Sequence, residues 1–420
     1  MGKIRLLSKE VIEQIAAGEV VENPASVVKE LLENSLDAGA NKIFIEIENG
    51  GKTLIRVTDD GHGMTKDDAL LSVKRHATSK IENMTDLYSI KSLGFRGEAL
   101  SAISSVSEFE LVTKKDYAME GTKIKVEDLQ PQADTVAAPQ GTTIIVKNLF
   151  YNVPARKKHL QANSFEASKV IDIITRYALI HPLVYFRITN DGKVVLNSPN
   201  TASMLNNIVD IYGKDVAKEL LEVDYKDDIY SIKGYISKPS FSRSDKDFMN
   251  IYLNDRYVKS KTIVDAVYDS YHTLLHNNRY PFALLKIHVN PERLDVNIHP
   301  NKLKVKIEQE AKLYEVIYDL VKDTLREHDI TSEPLKESVD KIVEQQKLAD
   351  EMSKNQNSKT MQRNYSIDTE SQQMLDDDQI DSTKGNWSRK NEESQKDLES
   401  DTKDSQSESV DLEPIPTKPA

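Results

Sequence analysis

Residues 29–40, KELLENSLDAGA, set four polar side chains, Glu30, Glu33, Asn34 and Asp37, at helical spacing. At about 100° per residue they share one arc of a helix, while Val27, Val28, Leu31, Leu32 and Ala38 share another. A carboxylate on such a face can orient and deprotonate a water. A carboxamide one turn on can offer an oxygen to a hard cation, because residues i and i+4 project side by side. Taken alone, an acidic helix face is usually just solvated. A second stretch, TDDGHGM (58–64), sets Asp59 ahead of Gly61 and Gly63. Glycines there admit a flat ligand and the carboxylate can accept a hydrogen bond from an exocyclic amine, although an ordinary tight turn would look similar. A third, KSLGFRGEALSAI (91–103), places Gly94 and Gly97 before a helix expected to begin near Glu98. Backbone amides at that start, with the charge of Arg96, form an anion site, and the plain alternative is a flexible glycine loop. Just upstream, Thr78, Ser79 and Lys80 add hydroxyl and ammonium donors.

These side chains need a helix, a hairpin and a loop to hold them. The helix is predicted over 24–38, with Asn23 as its cap, Pro24 in its first turn and Gly39 at its exit. Residues 42–58 alternate apolar and polar around Asn49-Gly50-Gly51, a hairpin signal. Gly51-Lys52-Thr53 mimics the end of a phosphate-binding P-loop, but the earlier glycine that motif requires would fall at Glu46, and the segment turns between strands. Further strands are predicted at 141–147, 183–189, 248–254 and 281–289, and further helices at 8–17, 65–76, 98–105, 163–180, 201–211, 261–276 and 309–328. A change of character near residue 200 divides a first domain, 1–200, from a second, 201–330.

The chain has 420 residues, 38% of them hydrophobic, enough for at least one sizeable core. No apolar run approaches the roughly 18 residues of a membrane span, and the N-terminal MGKIRLLSKE lacks the apolar centre of a signal peptide. With no cysteine, disulfides, thiolate metal sites and cysteine nucleophiles are excluded together. The formal charge of −12 is unevenly spread: residues 331–420 carry 12 Lys and Arg against 21 Asp and Glu, a balance of −9, which leaves −3 for residues 1–330. A nearly neutral body leaves room for local basic patches. The acidic stretch 331–420, rich in Ser, Gln, Asp and Asn, is expected to be a disordered tail or linker.

The order of the three signals resembles the GHKL ATPase superfamily. The stretches QIAAGEVVENPASVVKELLENSLDAGA (14–40), DDGHGM (59–64), RHATSKI (75–81), LGFRGEALSAISSV (93–106), GTTIIVKNLFYNVPAR (141–156) and DVNIHPNKLKVK (295–306) are similar to the MutL mismatch-repair family at nearly every position. The resemblance implies an α+β fold: a two-layer α/β sandwich ATPase domain of GHKL type, then a smaller α/β transducer domain like the ribosomal-protein-like second domain of gyrase-type ATPases, then a disordered tail.

It also implies roles. Glu30 would be the general base for the water that attacks the γ-phosphate, Asn34 a magnesium ligand, and Asp59 the reader of the adenine amino group, with Gly61 and Gly63 shaping the pocket and Thr143 supporting the contact. The backbone of Leu93, Gly94, Phe95, Arg96, Gly97, Glu98, Ala99 and Leu100 would wrap the phosphates with Thr78, Ser79 and Lys80. Lys302 would reach the γ-phosphate from the second domain; a lysine after a proline is ordinarily just solvated, and here the motif around it reverses that reading. Glu33 and Asp37 receive no role and default to solvent exposure or local ion pairing. The implied cofactors are ATP and magnesium.

The implied activity is slow ATP hydrolysis that drives N-terminal homodimerisation as a clamp, coupling a mismatch-recognition protein to downstream nuclease and helicase factors on DNA. Arg256, Lys259 and Lys261 are the candidate DNA contacts, without sequence readout; a solvated basic loop is the competing reading, and Arg156, Lys157 and Lys158 form a weaker second cluster. The expected location is cytoplasmic, bacterial and nucleoid-associated. A topoisomerase would need a DNA-cleaving tyrosine domain, and a histidine kinase a phosphoacceptor helix before the ATPase; neither has room. A nucleotide-binding scaffold that never hydrolyses ATP stays open as an alternative. The chain is expected to end within the linker, without the C-terminal dimerisation domain, so endonuclease activity is not assigned to it.

Overall fold

In the computed structural model, residues 17–18, 20–81, 93–94, 97–127, 130–201, 203–290, 294–295, 306–307, 309–328 and 340–347 are described. The predicted helix forms as α1, Pro24–Asp37. Asn23 Oδ1 accepts from the Ser26 amide at 3.0 Å, which satisfies one of the donors a helix start leaves open. At the other end Gly39 takes φ +70°, and the Ala40 amide donates back to the Ser35 carbonyl.

The hairpin follows as β1 (Lys42–Glu48) and β2 (Leu54–Asp59), joined by a tight turn at Asn49–Gly51 in which all three residues have positive φ. Lys52 at that turn donates to the Gln161 carbonyl, a structural use of the false P-loop. After α2 (Lys66–Ser72) and α3 (Ala99–Ser105), the chain lays down β3 (Glu108–Lys114), β4 (Gly121–Glu127), β5 (Gln130–Val136) and β6 (Gly141–Lys147). Two helices, α4 (Pro154–His159) and α5 (Asn163–Ile180), lead to β7 (Tyr185–Asn190) and β8 (Lys193–Ser198).

The eight strands make one sheet in the order β5-β4-β3-β6-β2-β1-β7-β8. Every pairing is antiparallel except β1 with β7, the one that requires a crossover, which α5 helps supply. The apolar arc of α1 and residues Ala167, Val170 and Ile174 of α5 bury against this sheet.

A second sheet begins after α6 (Met204–Tyr212) and α7 (Lys214–Ala217). It is built from β9 (Leu220–Lys226), β10 (Tyr230–Ser237), β12 (Met249–Leu253), β13 (Arg256–Tyr257) and β15 (Ala283–Val289), in the order β13-β12-β15-β10-β9. Here β11 (Ser242–Arg243) and β14 (Tyr280–Pro281) pair separately, as do β16 (Leu294–Asp295) and β17 (Lys306–Ile307). Helix α8 (Lys261–Tyr271) makes the crossover between the parallel neighbours β12 and β15, and α9 (Glu310–His328) packs beside α8 on the same face. The other face covers Leu205 and Ile208 of α6 together with Leu179 and Ile180 from the end of α5.

Two expectations change. The helix predicted over 261–276 stops at Tyr271, where His272 turns to positive φ. Part of the expected tail is ordered: residues 340–347 are helical, with Ile342 and Val343 against the α6 cluster, Gln346 bonded to Asp210, and Lys218 paired with Asp340. Two apolar residues and two polar anchors hold a short segment whose composition alone argues for disorder.

Candidate functional site

Three clusters lie along α1, one for each part of its polar face. At Glu30, the Lys29 ammonium sits 3.2 Å from Glu30 Oε1 and 2.9 Å from Glu33 Oε1. Glu33 also accepts from the Tyr177 hydroxyl of α5. Glu33 is only 4% exposed, so of the two defaults expected for it the structure shows local ion pairing, buried where α1 meets α5. Removing one partner from such a pair costs about 3–5 kcal/mol, because a charge is left in low dielectric. Burial pulls the Lys29 ammonium down, but the Glu30 and Glu33 carboxylates outweigh it and hold the group above its ordinary value. Burial, then Glu33, pushes the Tyr177 phenol well above the usual range, so Tyr177 is a hydrogen-bond donor throughout neutral pH. Glu30 stays partly open and faces a cleft of about 240 Å³, whose far wall includes Arg256 and Tyr257 of β13.

One turn further, Asn34 and Asp37 face the loop that follows α2. Lys80 Nζ lies 3.1 Å from Asn34 Oδ1 and also donates to the Asp37 carboxylate. Asp37 accepts the Leu93 amide on Oδ1 at 2.9 Å and the Gly94 amide on Oδ2 at 3.0 Å. Lys80, Leu93 and Gly94 of the glycine loop are therefore gathered onto α1 through Asp37, a residue to which the sequence pattern gives no role. Gly94 approaches closely: a Cβ there would stand 2.9 Å from Lys80 Nζ. On the far side of the loop, the Gly97 carbonyl accepts from His76, with Gly97 at φ +60°, and Glu98 precedes α3, which Ala99 and Leu100 begin. Thr78 bonds to the Lys80 amide at 3.2 Å, and Ser79 lies between them in the same turn.

The third cluster is at the end of β2. Asp59, 8% exposed, accepts from Ser35 Oγ at 2.8 Å on Oδ2 and from the Gly61 and Thr142 amides at 3.0 and 3.2 Å on Oδ1. Burial raises its carboxyl above the ordinary range against the pull of these three bonds. An ionised carboxylate has about four acceptor positions, so one remains for an incoming donor. Thr143 is not among the partners. The register pairs Asp59 with Thr142 and Thr58 with Thr143, and strand alternation turns the Thr143 hydroxyl to Thr58, at 3.1 Å. The Asp59 carboxylate is thus held by Ser35, Gly61 and Thr142, with Thr143 one residue further along β6. Gly61 packs on Ala38 at the end of α1, and Gly63, at φ +63°, packs on the Lys114 carbonyl.

The basic candidates are divided. Lys259 and Lys261 are exposed, Lys261 at the first residue of α8, and both Lys259 and the half-buried Arg256 line the cleft beside Glu30. Arg156 packs over Gly18, while Lys157 and Lys158 are exposed. Lys302, Phe95 and Arg96 lie outside the described residues. Residues that sequence reasoning misses are Lys29, Tyr177, Ser35 and Thr142. Ser35 has a detectable signal, since it follows Asn34 on the arc toward the core; Tyr177 has none, being brought in from 144 residues away.

Comparisons with known proteins agree with this arrangement. A family model described as "Histidine kinase-, DNA gyrase B-, and HSP90-like ATPase" matches residues 22–151, and another described as "DNA mismatch repair protein, C-terminal domain" matches residues 208–326. The chain is 41% identical over 337 residues to the DNA mismatch repair protein MutL of Streptococcus thermophilus, covering 80% of this chain and 52% of that protein. A solved N-terminal domain of a DNA repair protein superposes with a TM-score of 0.67 at 27% identity, over 76% of this chain and 99% of that one. The ADP-complexed MutL ATPase domain of Aquifex aeolicus does so with a TM-score of 0.52 at 25% identity, over 72% and 98%.

Proposed function

Because the chain belongs to the MutL family of DNA mismatch repair proteins, and spans about half the length of the curated relatives it matches, we propose that it is a slow, magnesium-dependent ATPase that works as a conformational switch in mismatch repair. The observation that carries this reading is helix α1, on which Glu30 lines the cleft, Asp37 gathers the glycine loop and Ser35 holds Asp59.

Glu30 accepts a proton from a water whose oxygen bonds to the γ-phosphorus as the bridging P–O bond to ADP breaks. General-base catalysis of this kind is worth roughly 10²–10⁴-fold. Asp59 accepts the adenine amino group, with Ser35 and the Thr142 amide fixing its carboxylate and Gly61 and Gly63 leaving room for the ring. Lys80, Thr78 and Ser79 and the backbone from Leu93 to Leu100 hold the phosphates. Lys302 is assigned the γ-phosphate contact on its sequence motif. Asn34 Oδ1, which accepts from Lys80 at 3.1 Å, is an oxygen donor of the kind magnesium takes when phosphates and water complete its shell, so Asn34 fits the ion as its ligand. When bound, magnesium neutralises phosphate charge.

In this reading residues 1–200 form the ATPase domain, 201–330 the transducer domain and 331–420 the linker. ATP binding brings two copies together as a homodimeric clamp. That clamp acts in the cytoplasm on DNA, through Arg256, Lys259 and Lys261 without sequence readout, and couples a mismatch-recognition protein to nuclease and helicase factors. Among the described residues no helix is long and apolar enough to cross a membrane.

Steady-state hydrolysis by the wild type and by Glu30→Ala tests the reading. The variant is expected to lose at least about 10²-fold in rate while still binding ATP; equal rates would refute Glu30 as the base, and no hydrolysis by the wild type would favour the scaffold.

A further inference from the structure

Lys29 shares the Glu30 cleft, yet nothing in the hydrolysis scheme uses it. Successive residues on a helix do not ordinarily face one another, but here the Lys29 ammonium turns back to Glu30 Oε1, 3.2 Å away, while Glu33 Oε1 holds the same nitrogen at 2.9 Å. Glu33 is buried, and the Tyr177 hydroxyl of α5 donates to that same oxygen. The result is a chain, Tyr177 to Glu33 to Lys29 to Glu30, running from the last turn of α5 to the carboxylate that lines the cleft. Each member restrains the next. Tyr177 is itself packed in the first core and stacks flat on His181, so the chain is anchored in rigid structure.

We propose that Lys29 is a positioning residue for hydrolysis: gripped by Glu33, which Tyr177 holds in turn, it fixes the Glu30 carboxylate in the orientation from which it takes a proton of the attacking water. The proposal rests on the ATPase reading above. Its consequence is kinetic. A base displaced by about 1 Å loses up to ~10²-fold in rate, whereas ATP, held by Asp59 and the glycine loop, keeps its affinity. Arginine, whose fork can also bridge two carboxylates, preserves the arrangement.

The test measures kcat, KM and equilibrium ATP affinity for the wild type, Lys29→Met, Lys29→Arg, Tyr177→Phe and Glu30→Ala in the full chain, with a thermal melt of each. Lys29→Met is expected to lower kcat about 10- to 100-fold with KM and ATP affinity within about twofold of wild type. Lys29→Arg should recover most of the rate, and Tyr177→Phe, which removes one grip on Glu33, should lose roughly threefold. A folded Lys29→Met with wild-type kcat overturns the proposal, and so does a loss shared equally with ATP affinity, which marks a merely structural role. If Lys29→Met does not fold, Tyr177→Phe carries the same decision: a reduced kcat at unchanged affinity supports the chain, and an unchanged kcat overturns it. Failure of the ATPase reading looks different, since the wild type would then not hydrolyse ATP, and failure of the base assignment would leave Glu30→Ala as fast as the wild type.

Discussion

His181 stacks parallel to Tyr177, ring centroids 6.2 Å apart, with Nε2 buried and no hydrogen-bond partner. Burial pushes its pKa down to about 4, because a protonated ring there would have a charge and no acceptor. The folded value lies below the unfolded one, near 6.5, so the unfolded chain binds more protons. The stability His181 contributes is then complete above pH 6.5 and is lost as pH falls toward 4, about 3 kcal/mol across that window. Urea denaturation at pH 7.5 and 5.0 should show a smaller loss on acidification in His181→Gln than in wild type; parallel losses would show that the ring is not the group responsible. At this scale the sequence is informative about spacing and silent about partners. Helical periodicity puts Glu30, Glu33, Asn34 and Asp37 on one arc, yet nothing local distinguishes Glu33, which Tyr177 caps from another helix, from Asp37, which the Lys80 and loop donors reach.

Among the elements, β2 and β6 are the pair on which the Asp59 pocket depends, and Gly141 is where they meet. It sits at φ +113°, and a Cβ on it would stand 2.0 Å from the Asp59 carbonyl oxygen, a backbone atom that cannot swing away. Gly141→Ala must therefore strain the start of β6 or part the strands, and is expected to draw the Thr142 amide away from Asp59 Oδ1. A destabilisation of about 3 kcal/mol or more is expected, with weaker ATP binding even where the variant stays folded. A melting temperature and ATP affinity equal to wild type would refute this account of Gly141.

Elements with strong local signals are legible in the amino-acid order alone: α1 from its cap, proline and exit glycine, β1 and β2 from alternation around Asn-Gly-Gly, and α5 from its apolar spacing. Strands β4 (GTKIKVE) and β5 (QPQADTV) carry no such signal. Strand β5 is the edge strand, where a proline and polar residues stand in place of an apolar run, and β4 beside it carries only Ile124 and Val126, alternating with its lysines. Strand β10 escapes sequence reasoning as well, with Gly234 in its middle, a residue that weakens a strand pattern.

At the scale of the whole molecule, the two sheets meet through the end of α5. Arg176, 6% exposed, donates to Asp172 at 2.9 Å within its own helix and to Asn250 of β12 at 2.5 Å, and lies over the Tyr257 ring at 4.4 Å. Its carbonyl accepts from Tyr252 at 2.7 Å, and Leu179 and Ile180 bury in the cluster on the second sheet. A change of sequence character near residue 200 is visible, but no local pattern could disclose that a helix ahead of it completes the core behind it. Burial disfavours the Arg176 charge, Asp172 more than restores it, and the guanidinium stays ionised at any working pH. Arg176→Met keeps the apolar stem and deletes the bonds to Asn250, whose side chain is 1% exposed and would be left short of a partner. A loss of about 3 kcal/mol follows from stranding such a buried polar group, and it falls on the junction, not on either sheet. If this junction is what makes the sheets unfold together, calorimetry of Arg176→Met should resolve two transitions where the wild type gives one, with ATP raising mainly the one that involves the first sheet. A single transition shifted downward as a whole would mean that the buried Leu179 and Ile180 contacts couple the sheets without Arg176.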